Sequence, residues 1–132
     1  MPIAEYVLAA ILDHAIDYGA MTRRIAEQGW AGAYFSRPPH GEIAGKTIGI
    51  VGLGRIGAAV AHRAKAFGMT VMAITGSRRE KAADVDWIAT PERVDELLAR
   101  SDFVVLAAPL NDATRGMLAM PHPVLGTASL YQ

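Results

Sequence analysis

The chain has 132 residues, 52% hydrophobic and 20% charged, which is enough apolar material for one buried core and too little for two full domains. Thirteen basic and thirteen acidic side chains cancel, so no global field draws the protein to nucleic acid or to an anionic membrane, and weak colloidal repulsion favours self-association. The absence of cysteine excludes a disulfide framework and a thiolate metal site, and suits a cytoplasmic protein.

From the first residues, Pro2 is placed to start a helix, and Ile3, Val7, Leu8, Ile11, Leu12, Ala15 and Ile16 give it a broad apolar face. Glu5, Asp13, His14 and Asp17 interrupt that stretch, no basic region precedes it, and it is too short to cross a bilayer, so a buried or interface helix is expected. Gly19 is expected to weaken or end it. A second helical stretch runs from Met21 to Gln28 and stops at Gly29, and Trp30 to Gly45, with Pro38, Pro39 and three glycines, reads as a connector.

At Lys46 the pattern changes. Thr47-Ile48-Gly49-Ile50-Val51 is a short apolar run of the kind buried on both faces of a sheet. Arg55 to Phe67 carries Ile56, Val60, Ala64 and Phe67 at helical spacing, with Gly68 as a stop. Val71 to Ile74 is a second buried strand, Thr90 can cap a helix begun by Pro91 with Val94, Leu97 and Leu98 inward, and Phe103 to Ala107 is a third strand. Strand, helix, strand, helix, strand in that order predicts an α/β fold: an incomplete Rossmann-like doubly wound parallel sheet of about three core strands, with a long helix ahead of it. A short helix is expected near Thr114 to Met120, broken by Pro121 and Pro123, with at most one weak strand from Val124 to Gln132. The expected divisions are residues 1–45 (helices and connector), 46–120 (dinucleotide-binding segment) and 121–132 (tail).

Gly52-Leu53-Gly54-Arg55-Ile56-Gly57 is a G-x-G-x-x-G motif between a buried strand and an amphipathic helix, with a second strand following within about thirty residues. The first glycine permits a tight turn, the second lets a pyrophosphate approach the backbone, and the third lets the helix lie close to the strand. Free N–H groups at the helix start then favour an anion. The bland alternative is a glycine turn selected by packing alone.

The end of the second strand bears on cofactor choice, because a carboxylate there would bind the adenosine ribose and repel a 2′-phosphate. The chain instead reads Thr75-Gly76-Ser77-Arg78-Arg79, offering hydroxyls and two guanidinium groups suited to bidentate phosphate contacts. This points to NADP(H) in preference to NAD(H), with NAD(H) still admissible. Pairing of Arg78 and Arg79 with Glu80 or Asp84 is the competing reading.

The stretch Gly45 to Gly57, followed by Ala64-Lys65-Ala66-Phe67-Gly68-Met69, closely resembles the signature of the D-isomer-specific 2-hydroxyacid dehydrogenases. Leu97 to Val105, Ala108-Pro109-Leu110 and Thr114-Arg115-Gly116 are similar to that family's third-strand motif, and Pro2 to Leu8 looks like the start of its interdomain helix. The resemblance implies that Gly54, Arg55 and Ile56 touch the pyrophosphate and that Pro109 and Thr114 lie beside the ribose and nicotinamide. It also implies reduction of 2-keto acids such as glyoxylate or hydroxypyruvate by the parent family, and a two-fold dimer using the N-terminal helix. The family's catalytic arginine, glutamate and histidine come after a further strand, and Met120 to Thr127 does not look like its continuation, so no catalytic residue is assigned here and the chain is expected to be inactive alone. His14, His40, His62 and His122 are the only histidines available as a proton donor, and none has the expected setting. A non-catalytic nucleotide-binding or assembly module is the alternative. A strand order of 3-2-1 would also leave the edge bearing Ile48 and Ile50 bare, a second reason to expect a homodimer.

Overall fold

In the computed structural model the described residues are 1–76, 82–109, 111–112, 114–116, 118 and the backbone of 130–131. Their strands form one parallel sheet in the order β3-β2-β1-β4-β5. β1 (Thr47–Val51) lies at its centre, with β2 (Thr70–Ile74) and then β3 (Trp87–Ala89) on one side. β4 (Phe103–Leu106) and the two-residue β5 (Leu130–Tyr131) lie on the other.

This corrects the expected strand order. The run at Phe103 does not extend the sheet beyond β2; it crosses back to pair with the far side of β1, Ile48 opposite Phe103 and Val51 opposite Leu106. The first strand therefore has no bare edge. A continuously apolar run says that both faces of a strand are covered and says nothing about which strand lies beside it. The reversal of direction after β3 is the topological switch of a doubly wound fold, and ligands of such sheets bind at the carboxyl ends of the strands where it occurs.

Side chains alternate across the sheet as the strand period requires. Ile48, Ile50 and Val71 face a core shared with α1 (Pro2–Ile16) and α3 (Arg55–Ala66), including Ala4, Leu8, Ile11, Val60 and Ala64. Val51, Met72, Ile74 and Val104 face Leu97 and Leu98 of α4 (Val94–Arg100). Gly49 has a packing role on that second face: a Cβ there would run into Leu97 and Ser101, so its absence lets α4 lie against β1.

One face of α1 is thus covered by α3. Glu5 ties the two together, 3.4 Å from the terminal ammonium and 3.3 Å from Arg63, and these cations hold its carboxyl below the usual carboxylate range. The helix ends at Asp17, not Gly19. Asp17 takes a left-handed conformation, φ 51° and ψ 55°, and its carboxylate accepts a hydrogen bond from the Ala20 amide at 3.2 Å, capping α2 (Tyr18–Ser36). Gly29 kinks α2 without ending it, at φ 72° and ψ 174°, so Trp30 to Ser36 is helical where a connector was expected. Pro91 starts a 3-10 turn, Pro91–Arg93, ahead of α4, and the described residues from 112 to 118 form turns where a helix was expected.

Candidate functional site

The bend after β1 is tied to the strand ends on both sides. The Gly52 amide donates to the Ile74 carbonyl at 2.8 Å, and the Ala107 amide donates to the Val51 carbonyl at 2.8 Å. Gly52 itself has φ +101°, and a Cβ there would come 2.5 Å from the Ala108 nitrogen. Both facts require glycine. At Gly57 a Cβ would collide with the Gly52 carbonyl oxygen, so this position sets how closely α3 approaches the bend.

Gly54 is different. Nothing lies within 4 Å of where its Cβ would stand, so no protein contact demands a glycine there. Gly54 is itself the N-cap of α3, which has no capping side chain and no acidic residue in its first turn. The first amides of a helix have no intrahelical acceptor, and here no side chain of the cap supplies one. Arg63 and Lys65 in the last turn complement the opposite end of the helix dipole.

Around this turn the carboxyl edge of the sheet opens into two recesses. One, of about 390 Å³, runs from Gly52 and Gly54 past Thr75 and Pro91 to Pro109 and Thr114. The other, of about 760 Å³, lies over Arg55 and Ile56 and is walled by Ile3 and Tyr6 of α1. They share Gly54 and the segment Ala107 to Pro109. No described lining residue of either is an aspartate or glutamate, and Arg55 is their one charged side chain. A polyanion meets no repulsion there.

The structure therefore brings Gly52, Gly54, Arg55, Ile56, Gly57, Thr75, Pro109 and Thr114 to one edge. Thr75 is buried, and its amide donates to the Ala89 carbonyl at 3.0 Å, which prolongs the β2 to β3 ladder to the lip of the cleft. Thr114 braces a turn: its hydroxyl donates to the Pro109 carbonyl at 2.7 Å and accepts from the Asn111 amide at 2.9 Å, while the Asn111 side chain accepts from the Thr114 amide at 3.0 Å. Thr114 thus fixes Pro109 at the cleft. Ser77, Arg78 and Arg79 lie outside the described residues, as does His122. Asp84, one of the acids considered as an arginine partner, sits 2.9 Å from His62 Nδ1.

Sequence reasoning missed the contributions of Pro91, Asn111 and Tyr6. An Asn-x-x-Thr spacing after a strand was the available signal for the Asn111 turn. Among the described residues no histidine lines either recess: His14 stands edge-on to Phe103 with ring centroids 6.0 Å apart, at the opposite end of β4, and His62 faces Asp84.

This bend, with glycines at three positions, a helix start that no side chain caps and no carboxylate among its described lining, fits a dinucleotide diphosphate. Comparison with known proteins agrees. Residues 8–122 match the family described as D-isomer specific 2-hydroxyacid dehydrogenase, NAD binding domain. A glyoxylate reductase of Thermococcus gammatolerans is 48% identical over 77 residues, 58% of this chain and 23% of the relative. The crystal structure of a glycerate dehydrogenase related protein from Thermoplasma acidophilum superposes with a TM-score of 0.72 at 39% identity, over 87% of this chain and 38% of that one. An NADPH-dependent glyoxylate/hydroxypyruvate reductase from Sinorhizobium meliloti, solved with NADP and sulfate, gives a TM-score of 0.69 at 28% identity over 86% of this chain and 34% of that one. The chain thus spans less than two fifths of the length of these relatives. With its glycine turn, sheet order and matched span, the chain belongs to the D-isomer specific 2-hydroxyacid dehydrogenase family, and what it carries is the family's NAD-binding domain.

Proposed function

We propose that this chain is the cofactor-binding part of an oxidoreductase that reduces 2-keto acids such as glyoxylate or hydroxypyruvate, and that it takes NADPH in preference to NADH. The observation that carries the reading is Gly54, a glycine whose Cβ would meet no protein atom and which stands as N-cap of α3 in the lining of both recesses. The bound dinucleotide supplies the hydride. The chain's own part is to hold the diphosphate on the amides after Gly54, to seat the adenosine side between Thr75 and Pro91, and to seat the nicotinamide side near Pro109 and Tyr6.

The absence of a carboxylate at Thr75 and Gly76 supports the 2′-phosphate, with Ser77, Arg78 and Arg79 as its ligands. The chain alone transfers no hydride, in this reading, because no described histidine stands at the recess where a keto oxygen would need a proton. The same observation favours a second reading, a nucleotide-binding or assembly module without turnover.

Dimerisation remains part of the proposal and rests on exposed apolar surface, since the bare strand edge is gone. Ile3, Tyr6, Ile16 and Tyr18 project from α1 and the start of α2 with relative exposures of 54%, 70%, 43% and 71%. The lack of cysteine suits a reducing cytoplasm, the setting we propose, and among the described residues no helix is long and apolar enough to cross a membrane.

The test is a fluorescence titration with NADPH and NADH at one ionic strength, followed by absorbance assays with a panel of 2-keto acids. Saturable binding, tighter for NADPH, supports the cofactor role. Equal or tighter NADH binding overturns the preference, and turnover above background would replace the inactive reading with an enzyme.

A further inference from the structure

A third concavity, of about 350 Å³, lies at the opposite edge of the sheet, where α1 ends, α2 begins and the connector to β1 passes. Its position is fixed by two contacts. The Gly41 amide donates to the Ala15 carbonyl at 2.8 Å, which holds the connector against the end of α1, and His14 packs edge-on against Phe103 at the first residue of β4. The dinucleotide turn is at the other end of the strands, so this pocket shares no lining residue with either cofactor recess.

Its charged and titratable lining is cationic. His14 and Asp17 come from α1 and its cap, Tyr18 and Arg24 from α2, and Arg37 and His40 from the connector. Two guanidinium groups therefore face one carboxylate, with two imidazoles able to add charge. Asp17 is engaged in capping α2 through the Ala20 amide. Among the described residues neither Arg24 nor Arg37 has a carboxylate within 4.0 Å. Among the other described cations, Arg63 pairs with Glu5, Lys65 with Asp86, and Arg93 and Arg100 with Glu96, whereas Arg23, Lys46, Arg55 and Arg115 likewise have no described carboxylate within 4.0 Å; Arg24 and Arg37 differ from these in lining one concavity together.

Arg24 is half-buried in the pocket wall. Arg37 has its guanidinium carbon 4.4 Å from the Tyr34 ring centroid, a stacked position that uses the face of the group and leaves its N–H edge free. Two arginines in one concavity, neither ion-paired with a described carboxylate, and with the Asp17 carboxylate engaged in capping α2, match the oxygens of a tetrahedral oxyanion.

We propose that this pocket is an anion site for a compact dianion of the phosphate class, held by Arg24 and Arg37 and assisted by His14 and His40. The site is independent of the cofactor reading and stands or falls separately from it.

Sulfate is the probe, because it keeps its charge throughout the imidazole range. The ring protons of His14 and His40 are followed by NMR as sulfate is added at constant ionic strength, with NADPH present and with His62 as an internal control. Saturable shifts at His14 and His40 are expected, with His62 unmoved. Arg24→Gln combined with Arg37→Gln should weaken the saturable component by about tenfold or more. Arg37→Gln alone, at the exposed residue that follows α2, gives the same test without changing a position inside a helix. Non-saturating drift shared with His62, or saturable shifts that persist at full strength in these variants, would overturn the proposal.

Discussion

Asp86 and Val71 exchange two hydrogen bonds at the amino edge of the sheet: the Asp86 amide donates to the Val71 carbonyl at 2.8 Å, and the Val71 amide donates to the Asp86 carboxylate at 2.8 Å. Asp102 does the same with Thr47, again at 2.8 Å in both directions. Each aspartate immediately precedes a strand, Trp87 in one case and Phe103 in the other. The pair of clamps sets the register of β3 on β2 and of β4 on β1.

The Val71 amide, and secondarily the Lys65 ammonium at 3.0 Å, lower the Asp86 carboxyl below its ordinary value. A carboxylate depressed in the folded state stabilises above its unfolded pKa of about 3.9, and that contribution is lost as pH falls through the lower folded value. Asp86→Ala should therefore cost on the order of 1 kcal/mol near neutral pH, with the exposed lysine pair adding little. Urea denaturation at a series of pH values should show the gap between variant and parent closing below about pH 4.

Gly54 and Gly57 separate binding from folding. Gly57→Ala forces a methyl group into the Gly52 carbonyl and should destabilise the fold by about 1–3 kcal/mol. Gly54→Ala meets no protein atom and should cost less than about 1 kcal/mol while weakening NADPH binding by about tenfold or more. Thermal denaturation and nucleotide titration of both variants check this, and equal NADPH affinity in Gly54→Ala would remove the basis of the proposed function.

Arg78→Gln with Arg79→Gln should lower NADPH affinity by about tenfold or more and leave NADH affinity nearly unchanged, since only NADPH offers a 2′-phosphate to the lost guanidinium groups. A parallel loss for both nucleotides would place the arginines outside that role.

Gly49→Ala should destabilise the protein by about 1–3 kcal/mol, because the added methyl runs into Leu97 and Ser101 on α4. Equilibrium unfolding measures it directly.

Light scattering at micromolar concentration tests association through the first helix. A dimer is expected, and Ile16→Glu, which places a charge on an exposed apolar position, should shift it toward monomer with little loss of protomer stability.

The glycine turn was legible in the sequence because three glycines at fixed spacing fell between two elements whose periods differ, and the packing gives Gly52 and Gly57 each a steric reason. β3 was not legible. Trp87–Ala89 is three half-buried residues, an apolar run too short to show a period. The strand order was hidden for another reason: Phe103–Leu106 looks the same whether it lies beside β2 or β1, and only the crossover through α4 decides. Gly29 misled because glycine both ends helices and kinks them, and the continuation through Ala33, fully buried, depends on tertiary packing. Thr114 was picked out as a site residue, yet its hydroxyl is spent on Pro109.

Because β1 is bonded along both sides, the turn that follows it grows from the stretch of backbone that local opening reaches last. Amide exchange at Gly49 to Val51 should be among the slowest in the molecule, while the lips contributed by the outer strands exchange sooner. A ligand seated on such an anchor meets a receptor that is already ordered, and so loses little of its affinity to freezing the chain that receives it.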